Sequence, residues 1–471
     1  MPSTHATPGP AGRTAADPAH GPANQDFLGH PKGLYVCFFT EMWERFSFYG
    51  MKALLLLYVL KYHLFGDDAG YDLLGAYGGL VYAVPVIGGL VADRWLGMRK
   101  AVVFGGSLLV LGHLGMAYEG HAAKVVDGVT VRDDFALQVF YLSLALIIMG
   151  VGFLKPNIST IVGQLYPQGD PRRDSGFTLY YYGINLGAFW AAVLCGFLGQ
   201  TVGWWAGFGL AGVGMALGWV VFVLGKPLLQ GNGEPPNPEL LKRPVFGPVN
   251  REWLIYIGGI LGVAVVWFMV QRNALVGTVL GISTLLSLAA ILWVIIAVCK
   301  TWAQRQRMML ALVLIFGAVV FFTLFEQAGT SLNLFADRNV DLTITPVAMQ
   351  FLGITIGTPA QLAAAGITPS GFWIDATITA AQVQSFNAGF ILIFAPIFAA
   401  LWAWLASKKM DPNPTMKFGL GLVQVGLGFL VVVWAAGSGM VSPTFQMPLM
   451  ILALLYMLHT TGELFLSLIH I

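Results

Sequence analysis

Long apolar stretches alternate with short polar ones along most of this chain. Apolar runs fall at residues 34–60, 73–92, 101–119, 136–163, 177–199 and 204–225, then at 253–271 and 275–299. Four more follow at 308–328, 382–406, 417–437 and 447–465. A helix needs roughly 20 apolar residues to cross a bilayer core, so the pattern predicts twelve transmembrane helices and an all-α polytopic membrane protein. Between the sixth and seventh runs lies GNGEPPNPELLKRPVFGPVN, whose prolines mark a connector between two bundles. The loop 337–380 is long enough for a short hairpin of its own.

Composition agrees. Hydrophobic residues make up 57% and charged residues 10% of the chain, with a mean hydropathy of +0.73. A soluble domain carries about a quarter charged residues. The net charge of +2 gives no reason to expect a nucleic-acid partner. Cys37, Cys195 and Cys299 lie in or beside separate apolar runs, which argues against a disulfide framework or a paired-cysteine metal site. Residues 1–26 are rich in Pro, Ala and Gly, lack a cleavable signal pattern, and read as a disordered cytosolic tail.

Basic residues orient the helices. They crowd alternate loops: Arg94, Arg99 and Lys100; Arg172 and Arg173; Lys300, Arg305 and Arg307; Lys408, Lys409 and Lys417. The linker adds Lys226, Lys242, Arg243 and Arg251, whereas Asp67, Asp68 and Asp72 stand in an intervening loop. This predicts a multi-pass protein of the cytoplasmic (inner) membrane with its N-terminus in the cytoplasm.

The first run carries Glu41, Glu44, Arg45 and Lys52. A charge near the bilayer centre costs about 2.5–3.5 kcal/mol on insertion scales, so four together require partners or water. At about 100° per residue the four fall within roughly 100° of arc, and Phe48 and Tyr49 join that face. The face must point to a polar interior. A purely structural ion-pair network is the alternative. Lys155, just before Pro156 in the fourth run, is expected to pair with Glu41 and Glu44. With all four groups ionised, Glu41, Glu44, Arg45 and Lys155 sum to zero. Protonating one glutamate leaves a surplus positive charge that attracts a carboxylate, which couples proton to anion binding.

At these residues the chain resembles the proton-dependent oligopeptide transporters of the major facilitator superfamily. EMWERFSFYG in the first run is similar to that family's ExxERFxYYG, with Phe48 replacing a tyrosine. GGLVADRWLGMRK resembles the superfamily's loop between helices two and three. FTLYYYGINLGAF (177–189), FEQAGTSLNLFADR (325–338), QSFNAGF (384–390) and GELFLS (462–467) resemble its fifth, seventh, eighth and tenth helices. The resemblance covers about residues 30–467. It implies two six-helix bundles with a two-helix insert: a tail over 1–30, an N-terminal bundle over 31–228, linker and insert over 229–302, and an incomplete C-terminal bundle over 303–471. Two further helices would be expected after residue 465, so the chain reads as cut short, with its last two helices missing. Residues 466–471, LSLIHI, also read like a translated library adapter.

The resemblance further implies roles. Glu41, Glu44, Arg45, Lys155 and Glu326 would couple protons. Arg45, Tyr49, Tyr82, Lys155, Asn185 and Asn387 would bind substrate, and Glu463 would hold a peptide's amino terminus. Lys52, Asp93, Arg94 and Glu326 would act as gates, with Lys52 and Glu326 paired across the outer one. The implied activity is proton-coupled symport of di- and tripeptides into the cell, driven by the proton gradient, with no cofactor or metal. Its partners are peptides, protons and the bilayer. The alternatives are transport of another small anion, such as nitrate or a modified amino acid, and an integral-membrane enzyme. His113 reads as a satisfied buried histidine rather than a proton relay. Trp204, Trp205 and Trp219 read as packing or interface anchors, and the glycines of GFGLAGVGMALG (207–218) as points of close helix approach.

Overall fold

Most apolar runs become one long helix, and the short polar stretches become the turns between them. A computed structural model describes residues 26–368, 372–442, 444 and 446–467. Helices α1 (Lys32–Lys61), α2 (Asp67–Val91), α3 (Met98–Met116), α4 (Asp134–Gln164), α5 (Arg172–Thr201) and α6 (Trp204–Leu224) form the first group. Helices α7 (Arg251–Val270) and α8 (Asn273–Trp293) follow the linker, and α9 (Trp302–Phe325), α10 (Ser385–Ser407), α11 (Pro414–Gly437) and α12 (Leu449–Ser467) form the last group. Ten helical segments among the described residues are long and apolar enough to cross a membrane. The remaining two are α1, which carries the four charges, and α3, which opens on Arg99 and Lys100. Polar side chains set the helix starts: Asp133 caps α4, Asn250 caps α7 and Asn413 caps α11, each accepting from a first-turn N–H.

In the first group α1 packs against α5 and α6, α3 against α4 and α6, and α2 against α4. Glycine permits the closest approaches. A Cβ on Gly187 would sit 2.1 Å from the Met42 carbonyl oxygen, and one on Gly88 would sit 2.1 Å from the Gly152 oxygen. The expected small-residue contacts of α6 are present as well: Gly214 and Gly218 lie under the Trp43 ring of α1. Trp219 donates to the Val103 carbonyl at 3.1 Å, while Trp205 is exposed. Helices α7 and α8 pack on the first group. Lys100 pairs with Glu252 at 2.6 Å, the Phe104 and Tyr256 rings lie 5.0 Å apart, and Leu280 fills the space over Gly79. In the last group α11 packs on α9 and α12, and α10 packs on α12 and on α5 of the first group.

The structure amends the expectations at three places. Residues Asp26–Phe27 and His30–Pro31 form a small antiparallel ladder rather than tail, because Arg172 bonds both Asp26 and the Gly29 carbonyl. Residues 1–25 and 468–471, on which the disordered tail and part of the cut-short reading rest, lie outside the described residues. The run 308–328 is not one helix to its end. It stops at Phe325, passes through a tight turn at Glu326–Gly329 and restarts as Ser331–Asn339. His113 is buried, but both ring nitrogens lack partners among the described residues, so it is not satisfied. Its neighbours on α3, α4 and α6 are largely apolar, and nothing in the structure explains it. The loop 337–380 does hold a hairpin, Met349–Phe351 with Ile354–Ile356.

The glycine contacts yield a paired prediction. Gly187→Ala forces a methyl group into a backbone carbonyl, and overpacking of this kind costs about 1–3 kcal/mol. Its melting temperature in detergent should fall and its folded yield with it. Gly277→Ala, where nothing lies within 4 Å, should melt with the parent. Indistinguishable melting of the two variants would refute this account of how α1 and α5 meet.

Candidate functional site

The charged face of α1 is buried at Glu41, Glu44 and Arg45, which are 3%, 0% and 3% exposed. Arg45 serves both acids. Its Nη2 donates to Glu44 Oε1 at 2.7 Å, its Nε donates to Glu44 Oε2, and the same Nε lies 3.3 Å from Glu41 Oε1. The planar guanidinium suits this two-point grip on Glu44. The Phe48 ring lies 4.9 Å below it and the Tyr49 ring 5.9 Å away. Phe48, which replaces a hydroxyl-bearing ring in the family motif, therefore contributes its π face. Tyr180 on α5 lies beside Glu41.

Lys155 does not pair with the acids as expected. It makes no ion pair among the described residues, and its Nζ stands 5.2 Å from the Tyr82 ring centre. The reason is competition: the Arg45 fork already occupies both carboxylates, which leaves Lys155 half-buried on α4 as an available cation.

Beside this cluster, between the two helix groups, is a cavity of about 180 Å³. Of the residues singled out in the sequence, Tyr49, Lys52, Asn185, Glu326, Asn387 and Glu463 line it. Tyr82 lines an adjoining cavity with Phe48, Lys52 and Glu326. Arg45 and Lys155, expected to touch substrate, line neither, and Asp93 and Arg94 are exposed at the end of α2, away from both. On the far wall Asn387 donates to Glu463 Oε2 at 3.3 Å and to Thr460 at 3.0 Å. Glu463 makes no ion pair among the described residues. Sequence reasoning missed Gln384, Tyr456 and His459 as lining residues. Tyr456, His459 and Glu463 stand three and four apart on α12, a one-face spacing that could have identified them.

Glu326 occupies the break after α9, where the chain turns toward the first group. Lys52 Nζ lies 2.5 Å from Glu326 Oε2, and the Tyr82 hydroxyl lies 3.4 Å from Oε1. Two more ion pairs join the groups on the same side of the molecule: Lys61 with Asp337 at 2.5 Å and Arg338 with Asp67 at 2.7 Å. Asn333 and Gln384 donate to the Ala53 carbonyl there. No ion pair joins the groups at the opposite end among the described residues. In the α1–α2 loop, burial and the nearby Arg132 guanidinium push His63 down to about 4. It therefore stays neutral between pH 5 and 8 and adds no charge to this end.

This arrangement is shared with known proteins. The profile of the POT (PTR2) family matches residues 99–355 and 371–471. The chain is 36% identical to the uncharacterized transporter YclF of Bacillus subtilis, covering 94% of this chain and 80% of that protein. It is 32% identical to the peptide transporter YePEPT of Yersinia enterocolitica, covering 95% of this chain and 82% of that one. A crystal structure of a peptide transporter POT in complex with sulfate superposes with a TM-score of 0.72 at 33% identity, covering 94% of this chain and 82% of the other. These relatives and structural neighbours are transporters, which sets the enzyme alternative aside. A buried ion cluster beside a cavity between two helix groups, a family profile over most of the length, and relatives alike over 94% and 95% of this chain have one explanation: the chain belongs to the POT family of transporters.

Proposed function

We propose that the protein imports di- and tripeptides together with protons across the cytoplasmic membrane, with its N-terminus in the cytoplasm. The observation that carries this reading is Glu463, a carboxylate lining the cavity between the helix groups and, among the described residues, held only by neutral groups. A peptide's ammonium group supplies the missing cation. Across the cavity stand Asn185 and Tyr49, with the Arg45 guanidinium 5.9 Å from the Tyr49 ring to attract the carboxylate end. A zwitterion is thus measured between an acidic wall and a basic one, while its side chains remain largely unread. Two relatives from Lactococcus lactis are named di-/tripeptide transporters, at 30% and 31% identity, and one solved POT peptide transporter holds alafosfalin.

Coupling follows from Arg45. While Glu41 and Glu44 are both ionised they absorb its charge and offset that of Lys155. Protonating either acid frees positive charge for the substrate carboxylate, so proton and peptide favour each other's binding. Glu326 acts as a second switch: its protonation weakens the Lys52 pair and loosens the end at which the groups are tied. A simple anion such as nitrate leaves Glu463 without a partner. A modified amino acid does not, and a POT-family structure in complex with 5-aminolevulinic acid gives that alternative an observation of its own. Competition between labelled dipeptide and 5-aminolevulinic acid in proteoliposomes separates the two; peptide winning by a wide margin supports the present reading.

Two predictions follow from these contacts. Glu463→Gln removes a charged partner worth about 1.5–3 kcal/mol, so peptide affinity should fall about 10- to 100-fold. An N-acetylated dipeptide, which lacks the ammonium, should then compete equally in parent and variant. Equal affinity of the parent for free and acetylated peptide would remove the amine site.

The second concerns Glu41→Gln and Glu44→Gln, each of which keeps the side chain's shape and removes one proton site. Uptake driven by a pH gradient should collapse in both variants, while exchange of labelled for unlabelled peptide, which moves no net proton, continues. Undiminished gradient-driven uptake in both would show that the pair is structural.

A further inference from the structure

Glu41 has a second neighbour that the scheme above does not use. Its Oε1 faces Arg45, whereas Oε2 is buried with no hydrogen-bond partner among the described residues. The groups facing it are Cys37, Glu44 and Arg45 on α1, Lys155 on α4 and Tyr180 on α5. Arg45 and Lys155 are cations with no free lone pair to accept a proton, Glu44 is occupied by Arg45, and the Cys37 thiol is a weak proton acceptor that lines none of the pockets described. That leaves the Tyr180 hydroxyl as the neutral group able both to accept and to donate a proton.

Tyr180 is itself buried, yet it lines a second pocket with Ser159, Arg173, Asp174 and Phe177, which adjoins the peptide cavity at Tyr181 and Ile184. Arg173 and Asp174 are exposed at the pocket's mouth, and the Arg173 guanidinium lies over the Phe177 ring with 5.7 Å to its centre. That fold-back holds the cation against the wall. The mouth lies at the start of α5, the end of the molecule at which no ion pair joins the two helix groups.

We infer that Tyr180 is the relay through which Glu41 releases its proton, by way of the pocket headed by Asp174, to the side bearing the basic loops. This rests on the proposal that Glu41 carries a coupled proton. In the step, the Glu41 carboxyl O–H bond breaks as its proton passes to the Tyr180 oxygen. The original Tyr180 hydroxyl proton passes to a water in the pocket. Tyr180 is neutral before and after, and rotation of the new O–H resets it.

The test is Tyr180→Phe, which removes one oxygen from a ring that keeps its packing. Positioned proton-transfer groups contribute about 10²–10⁴-fold, so gradient-driven peptide uptake, and the pH change that accompanies it, should slow by about 10-fold or more. Exchange at equal pH and peptide affinity report on folding and binding, and both should persist. A merely structural tyrosine would lower all of these together, and that result would overturn the relay, as would full-rate proton movement in the variant. Glu41→Gln is measured in parallel. If it too moves protons normally, the coupling role of Glu41 has failed; if only Tyr180→Phe does so, the relay alone has failed.

Discussion

One guanidinium between two carboxylates, all three out of contact with solvent, is the constraint on which the rest of this structure depends. Each charge alone would make α1 costly to hold in a bilayer. Together they form a cluster of net charge −1, brought to zero by Lys155 at a remove. The cluster is stable only if the surrounding helices exclude other partners. Gly187 provides for this on one side by letting α5 lie against the α1 backbone. The glycines of α6 do the same beneath Trp43 and Phe46. Dense packing around an imperfectly balanced charge is what makes a single proton consequential: it changes a local sum that no water can quickly screen.

The second element is the asymmetry between the ends of the molecule. Every ion pair between the helix groups, and the backbone contacts at Ala53, lie on the side of the α1–α2 loop. The opposite end is held by none among the described residues. Such an arrangement suits a molecule captured with one entrance tied and the other free. The helix break at Glu326 brings the last group's acid within reach of Lys52, so the tie and the cavity share a residue. Any event that titrates or occupies Glu326 therefore acts on both.

Much of this was legible in the chain, and the places where it was not have physical reasons. The twelve helices followed from hydropathy because a bilayer leaves no other solution for long apolar runs. The polar face of α1 followed from its angular spacing. The pair Lys52–Glu326 was anticipated from family resemblance, whereas Lys61–Asp337 and Arg338–Asp67 were not, since ordinary surface charges carry no mark of their distant partners. Lys155 was assigned to the acids because charge counting cannot see that one arginine reaches both carboxylates. The break after Phe325 was missed because EQAGT contains no proline and only one glycine. Tyr180 passed as one member of a tyrosine triplet; only the packing of α5 on α1 tells it apart from its neighbours.

The central claim is that protons and peptide travel together through this cluster, and the most direct measurement is of the proton itself. Proteoliposomes holding a pH-sensitive dye, with no pH gradient and an inside-negative potential, are given dipeptide outside. The account predicts acidification of the lumen that begins with peptide addition, saturates with peptide concentration and disappears when the peptide is omitted. Peptide accumulation under the same potential with no change in lumenal pH would contradict it.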